Sequence, residues 1–140
     1  VSLLEFPFSI PVEGIAFSEF VGIQSNMVAN NGNIQTGIEI ELEAMHNVIQ
    51  PTIMNVTTGE NMTIETELQS GDRILISTIR GNKYVKSDCN CVESNLINNL
   101  TDDSKWIQLI PGQNRFSYSA TYGSEYITLT VKHRDLFGGV

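Results

Sequence analysis

The residues able to do chemistry in this chain are two cysteines, two histidines, a set of alternating glutamates and a few aromatics. The cysteines stand as Cys89-Asn90-Cys91. A disulfide between residues this close closes a small strained ring and constrains little of the unfolded chain. Zinc sites space their cysteines more widely than one intervening residue. The pair therefore reads as two reduced thiols of a protein made inside a cell, with a metal site completed by His46 and His133 as the alternative. His133 has inward parity near the end of the last expected strand and reads as a histidine at the edge of a core, while His46 falls in a loop.

Glu39, Glu41 and Glu43 alternate along one strand face, with Glu65 and Glu67 expected on a neighbouring strand. Two carboxylates facing each other across a cleft could hydrolyse a glycosidic bond, and carboxylate oxygens could hold Ca2+. A solvated strand face that discourages edge-to-edge aggregation explains the same pattern without a cleft. Among the aromatics, Trp106 reads as core. Tyr84, Tyr122 and Tyr126 remain as rings that could stack on a sugar. Tyr126 has parity opposite to Ile127 and Leu129 and should point outward, and Tyr122 sits in a turn, so these two are the candidate glycan contacts. Three glycosylation sequons begin at Asn55, Asn61 and Asn99; in an Asn- and Thr-rich chain they read as chance. No glycine-rich phosphate loop and no G-x-S-x-G elbow occurs. The chain is thus expected to be non-enzymatic, with no catalytic residue, cofactor or metal ligand.

The positioning elements must fit into 140 residues, enough for one domain with a full core over residues 1–140. A hydrophobic fraction of 41% with 17% charged residues is globular composition. Eight Lys and Arg against sixteen Asp and Glu give 8 − 16 = −8. That balance lacks the footprint for nucleic acid and opposes an anionic membrane surface. No apolar run long enough to span a membrane is present, and the start at Val1 suggests a piece of a longer protein.

Period-two alternation runs through the chain. Ile38 to Glu43 puts Ile38, Ile40 and Leu42 on one face and three glutamates on the other, as in a half-buried antiparallel strand. Residues 62–68 alternate in the same way. Residues 51–56 form the strand before the loop Thr57-Thr58-Gly59-Glu60, and residues 73–79 turn at Arg80-Gly81-Asn82-Lys83 into Tyr84. Trp106 to Leu109, Arg115 to Ala120 and Glu125 to Arg134 read as three further strands. Ser94 to Leu100 reads as one short helix or 3-10 turn. Pro7 and Pro11 imply extended or edge structure, and Phe17 to Ala29 reads as one or two strands. Nine or ten strands at this spacing, without interleaved helices, predict an all-β antiparallel sandwich or jelly roll with at most one short helix.

The turn before the Ile38 strand (Asn30-Asn31-Gly32-Asn33) is followed by the segment from Pro51 to Glu60, then Ser70 to Ile76, Leu109 to Ala120 and the terminal Arg134 to Val140. In that order and spacing they resemble the C-terminal domain of siphovirus-type tail component proteins, the distal tail family of phages and prophages, over residues 8–140. Cys89-Asn90-Cys91 has no counterpart in that pattern.

The resemblance implies a galectin-like sandwich at the virion tail tip, a structural component of the baseplate hub assembled in a bacterial host cytoplasm. It implies an outward module beside a separate ring-forming N-terminal half. It also implies contacts with the tail tube, a tail-associated protein and receptor-binding proteins. The full-length protein would be a homohexamer, and this part a monomer or weak oligomer. A carbohydrate-binding module, with cell-surface glycans as ligands, is the rival reading.

Overall fold

The computed structural model describes residues 9–12, 15–21, 25–89 and 92–134. The run that alternates most cleanly shows why the rest folds as it does. Strand β4 (Glu39–Ala44) buries Ile40, Leu42 and Ala44 and leaves its glutamates half-exposed. Its partners repeat the pattern in register. Leu42 lies between Leu129 of β12 (Ile127–Arg134) and Ile74 of β8 (Arg73–Ser77), and Ile40 lies between Val131 and Ile76. All six of these side chains are buried. Each such burial stabilises by roughly 1.5–3 kcal/mol, so the register is held by the apolar face as much as by the backbone ladder.

The remaining strands are β1 (Ser9–Val12), β2 (Ile15–Val21), β3 (Ser25–Asn30), β5 (Val48–Asn55), β6 (Glu60–Thr63), β7 (Glu67–Leu68), β9 (Tyr84–Cys89), β10 (Val92–Asn95) and β11 (Gly112–Tyr122). They form two antiparallel sheets. The larger has the order β1-β2-β12-β4-β8-β9-β10; the smaller has the order β3-β11-β5-β6, with β7 also pairing with β5. Val28, Ile53, Met62, Phe116 and Tyr118 of the smaller sheet meet the buried residues of the larger in one core. This is the expected all-β sandwich, with twelve strands rather than nine or ten among the described residues. Pro11 lies in β1 at an edge of the larger sheet, the position in a sheet where proline is accommodated.

Four expectations need adjustment. Trp106 to Leu109 is not a strand. Its alternation is real, since Ile107 and Leu109 are buried, but the only ladder-type contact there is the isolated bridge from Leu109 to Thr36. Residues 62–68 break into β6 and β7 opposite the positive-φ Gln50 of β5: Ile64 still donates to the Pro51 carbonyl at 3.0 Å but also bridges Leu100. Within 94–100 the helix is the single 3-10 turn Ile97–Asn99, since β10 takes the residues before it. A second 3-10 turn, Ser124–Tyr126, precedes β12. Cys91, Phe8 and residues 135–140 lie outside the described residues.

Two backbone features set the faces. Gln50 in β5 has φ 53, and burial switches there: Pro51, Ile53 and Asn55 are buried on one side of it and Val48 on the other. This is how a bulge redirects a strand. Gly123 has φ 84, and a Cβ there would stand 2.2 Å from the carbonyl oxygen of Asn47, so the turn into β12 accepts only glycine without displacement.

Candidate functional site

The best-built polar region is a joint between the sheets. Residues 101–111 form a strap that touches both. On the side of the larger sheet, Thr78 Oγ1 donates to the carbonyl of Ile107 at 2.7 Å and accepts the N–H of Ile38 at 2.9 Å. Leu109 and Thr36 exchange backbone bonds of 2.8 and 3.0 Å. On the side of the smaller sheet, the N–H of Gln108 donates to Glu60 Oε1 at 2.9 Å, and Asn55 Nδ2 donates to the carbonyl of Gln108 at 2.9 Å.

Asn55 and Asn114 meet at the centre of this joint, both fully buried. Asn55 Nδ2 lies 3.2 Å from Asn114 Oδ1, which also accepts the N–H of Ile110 at 3.0 Å. Asn114 Nδ2 donates to the carbonyls of Ile110 at 2.8 Å and Gly112 at 3.2 Å. Asn55 Oδ1 accepts the N–H of Thr57 at 3.1 Å, closing the turn into β6. Every one of these groups would be costly to bury alone, and together they are satisfied. Thr58 Oγ1 donates to the same Glu60 Oε1 at 3.0 Å, so the hydroxyl and the carboxylate are both tied into the joint. Asn55 is closed to glycosylation by its burial.

The outward face of the larger sheet carries the alternating glutamates. Arg73 bridges Glu41 at 3.3 Å and Asp88 at 2.7 Å. Hydrogen bonds to these two carboxylates hold the guanidinium above its usual pKa. Lys86 lies 3.8 Å from Glu93 and 4.5 Å from the ring centre of Tyr84. Burial first, and the charge of Glu39 second, push the Tyr84 phenol up. Glu65 and Glu67 do not neighbour β4, because the partners of β4 are β8 and β12; Glu67 lies on β7 against β5. The carboxylates thus divide between the two sheets.

The smaller sheet turns a different face outward. Gln113, Arg115, Ser117 and Ser119 of β11 alternate with the buried Asn114, Phe116 and Tyr118. Thr52 and Met54 on β5 stand opposite Ser119 and Ser117. Thr52 Oγ1 and Thr63 Oγ1 share a hydrogen bond of 2.9 Å across β5 and β6. Arg115 Nη1 donates to Ser25 Oγ at 3.1 Å.

The aromatic candidates differ in exposure. Tyr122 is 55% exposed at the end of β11. Tyr126 packs partly against the core, and its ring meets His46 edge-on at 4.8 Å. Trp106 also packs on the core, beneath Lys83 at 5.6 Å. Cys89 is half-buried, and desolvation, with Asp72 beside it, raises its pKa and keeps it a thiol. His133 is 3% exposed at the end of β12 where Lys132 pairs with Glu39. His46 follows Ala44, which pairs with Ile127 at the opposite end of that ladder. The strand length between them keeps the two histidines from one metal ion. Among the described residues no group of three or more His, Cys, Asp or Glu could hold a metal, and no helix is long and apolar enough to cross a membrane.

The family described as "siphovirus-type tail component, C-terminal domain" (SPP1 Dit) matches residues 31–135. Among solved structures, the Dit protein (gp 19.1) of phage SPP1 is described as a paradigm of the hub adsorption apparatus in phages infecting Gram-positive hosts. It superposes with TM-score 0.65 at 14% identity, over 87% of this chain and 47% of that one. The chain therefore spans about half the length of that protein, and the likeness establishes the shared fold. A weaker match, TM-score 0.47 at 11% identity over 77% of this chain and 36% of that one, is to the phage P2 baseplate in its activated conformation with Ca. No curated protein sequence matches the chain significantly.

Proposed function

Because the chain belongs to the siphovirus-type tail component family through that family's C-terminal domain, we propose that it is a non-enzymatic module of a phage or prophage tail tip that holds neighbouring tail proteins in place. The match over residues 31–135 carries this reading. Its physical counterpart is the joint at Asn55 and Asn114, which through the strap fixes one sheet against the other. In the full-length protein a separate N-terminal half closes a six-membered ring, and this module faces outward towards the receptor-binding and tail-associated proteins. Assembly takes place in the cytoplasm of the bacterial host.

Negative-stain images of the purified full-length protein test the reading. Closed rings with peripheral lobes are the expected result. A full-length protein that stays monomeric at micromolar concentration, and antibodies to this domain that fail to label the tail tip of induced particles, would sink it. A glycan-binding role is the rival. It is favoured by the exposure of Tyr122, with Tyr126 as its half-buried neighbour. Binding to host cell-wall fragments that disappears on Tyr122→Ala would support that rival; binding unchanged by the substitution would remove it.

A further inference from the structure

The two sheets divide the charge of the chain unequally. Outward residues of β4, β8, β9 and β12 include Glu39, Glu41, Arg73, Lys86, Asp88 and Lys132. The face made by β3, β11, β5 and β6 carries hydroxyls, amides and two methionines, Met27 and Met54, with Arg115 as its single charge among the described residues. The chain has sixteen Asp and Glu and a net charge of −8, yet among the described residues none stands at the outward positions of these four strands, and Glu67 lies beside them on β7, opposite Ile49 of β5. Solvation alone gives no reason for that. Interface centres are depleted in Asp, Glu and Lys, and also in Ser and Ala, and are enriched in Met and Arg; the charge pattern and the methionines here follow that rule and the serines do not. Arg115 is exposed, donates to Ser25, and makes no ion pair among the described residues. The small side chains of Ser25, Ser117 and Ser119 let a second surface approach the sheet closely.

We propose that the outer face of the smaller sheet docks a neighbouring tail protein whose contact surface is flat, weakly charged and presents a carboxylate to Arg115. This rests on the tail-tip reading above. A second copy of the chain does not fit. Two copies at −8 repel at long range, and the carboxylate bordering this face, Glu67, already accepts from Asn47 Nδ2 and Gln69 Nε2. Four strands about 4.8 Å apart and roughly six residues long span on the order of 350 Å2. A stable complex needs about 800 Å2 per partner. The face therefore acts as one anchor in a contact held at several points, as in a tail tip.

The test uses this chain and the purified receptor-binding and tail-associated proteins encoded beside it, with binding followed by interferometry. Arg115→Glu and Ser117→Glu should each weaken the complex roughly tenfold or more, while Thr130→Glu on the opposite sheet leaves it unchanged. Circular dichroism of each variant verifies folding, and Ser119→Arg supplies a second insertion should one variant misfold. Rescue of Arg115→Glu by an Asp→Arg or Glu→Arg change in the partner would identify the carboxylate. Binding that survives all three face substitutions and falls with Thr130→Glu overturns this docking face while leaving the tail-tip role intact. Binding to none of the tail proteins removes both. Self-association of the chain abolished by Ser117→Glu would make the occupant a second copy and overturn the proposal.

Discussion

Replacing Asn114 by alanine should cost a large share of the stability of this domain. The side chain is fully buried and satisfies five groups: the N–H and carbonyl of Ile110, the carbonyls of Gly112 and Val28, and one hydrogen of Asn55 Nδ2. Alanine leaves the N–H of Ile110 and the Asn55 amide without these partners. An unsatisfied buried donor costs about 1–3 kcal/mol. Ile110 is half-buried, so water relieves part of its share, and the sum comes to about 3 kcal/mol. Against a total on the order of 10 kcal/mol for a domain of this size, and with a urea slope near 2 kcal/mol/M, the midpoint should fall by about 1.5 M. Trp106, the single tryptophan, lies on the strap, so its fluorescence reports the joint while circular dichroism reports the sheets. Ser119→Ala on the outer face serves as the control and should move the midpoint little. If the Asn114→Ala midpoint lies within about 0.3 M of the control, the joint is not the fastening argued here. Asn114→Asp sharpens the test. It places a carboxylate against the carbonyls of Ile110 and Gly112, so its folded pKa rises. Its stability is then greatest below the unfolded pKa near 4 and lost as pH rises. The gap from wild type should shrink below about pH 4.

Gly123→Ala should lower the melting temperature by several degrees, because the added methyl meets the Asn47 carbonyl oxygen and φ 84 is strained for any other residue; an unchanged melting temperature would contradict the close packing at that turn. Tyr118→Phe removes the 3.1 Å bond from the Tyr118 hydroxyl to the Ile127 carbonyl and should cost about 1 kcal/mol at neutral pH. Desolvation raises the Tyr118 pKa, so its contribution is complete below the unfolded value near 10 and is lost as pH rises through the folded one. The two proteins should therefore converge in denaturation midpoint above about pH 10, and parallel curves there would refute the assignment.

How much of this was readable beforehand depended on what the side chains report. Alternation reports burial, so β4, β8 and β11 were plain from Ile38 to Glu43, Ile74 to Ile76 and Arg115 to Ala120. It does not report pairing. Trp106 to Leu109 has the same alternation, with Ile107 and Leu109 buried, but Asn55, Glu60 and Thr78 take its backbone groups, so it runs as a strap. Residues 62–68 alternate through a break set by the bulge at Gln50 of the partner strand and the contact of Ile64 with Leu100. The joint itself was hidden. Asn55 and Asn114 are ordinary turn formers, separated by 59 positions, and nothing local says that their amides meet in the interior. Arg115 was visible as the start of an alternating run, but the uncharged face around it needed the order β3-β11-β5-β6 to be known.

The turns that carry the family resemblance, Asn55 to Glu60 and Ile110 to Asn114, are the turns that build the joint. Hydrophobic burial between two sheets is non-directional and tolerates sliding of one against the other. A hydrogen bond near 2.9 Å does not. The network of Asn55, Asn114, Thr78 and Gln108 therefore adds to the core a fixed placement of the smaller sheet on the larger. The network fixes geometry, and what it holds steady is a face rich in charges on one sheet and a face with few charges, Arg115 at its centre, on the other. A module that must present a fixed surface within a larger assembly needs that rigidity more than it needs a reactive site.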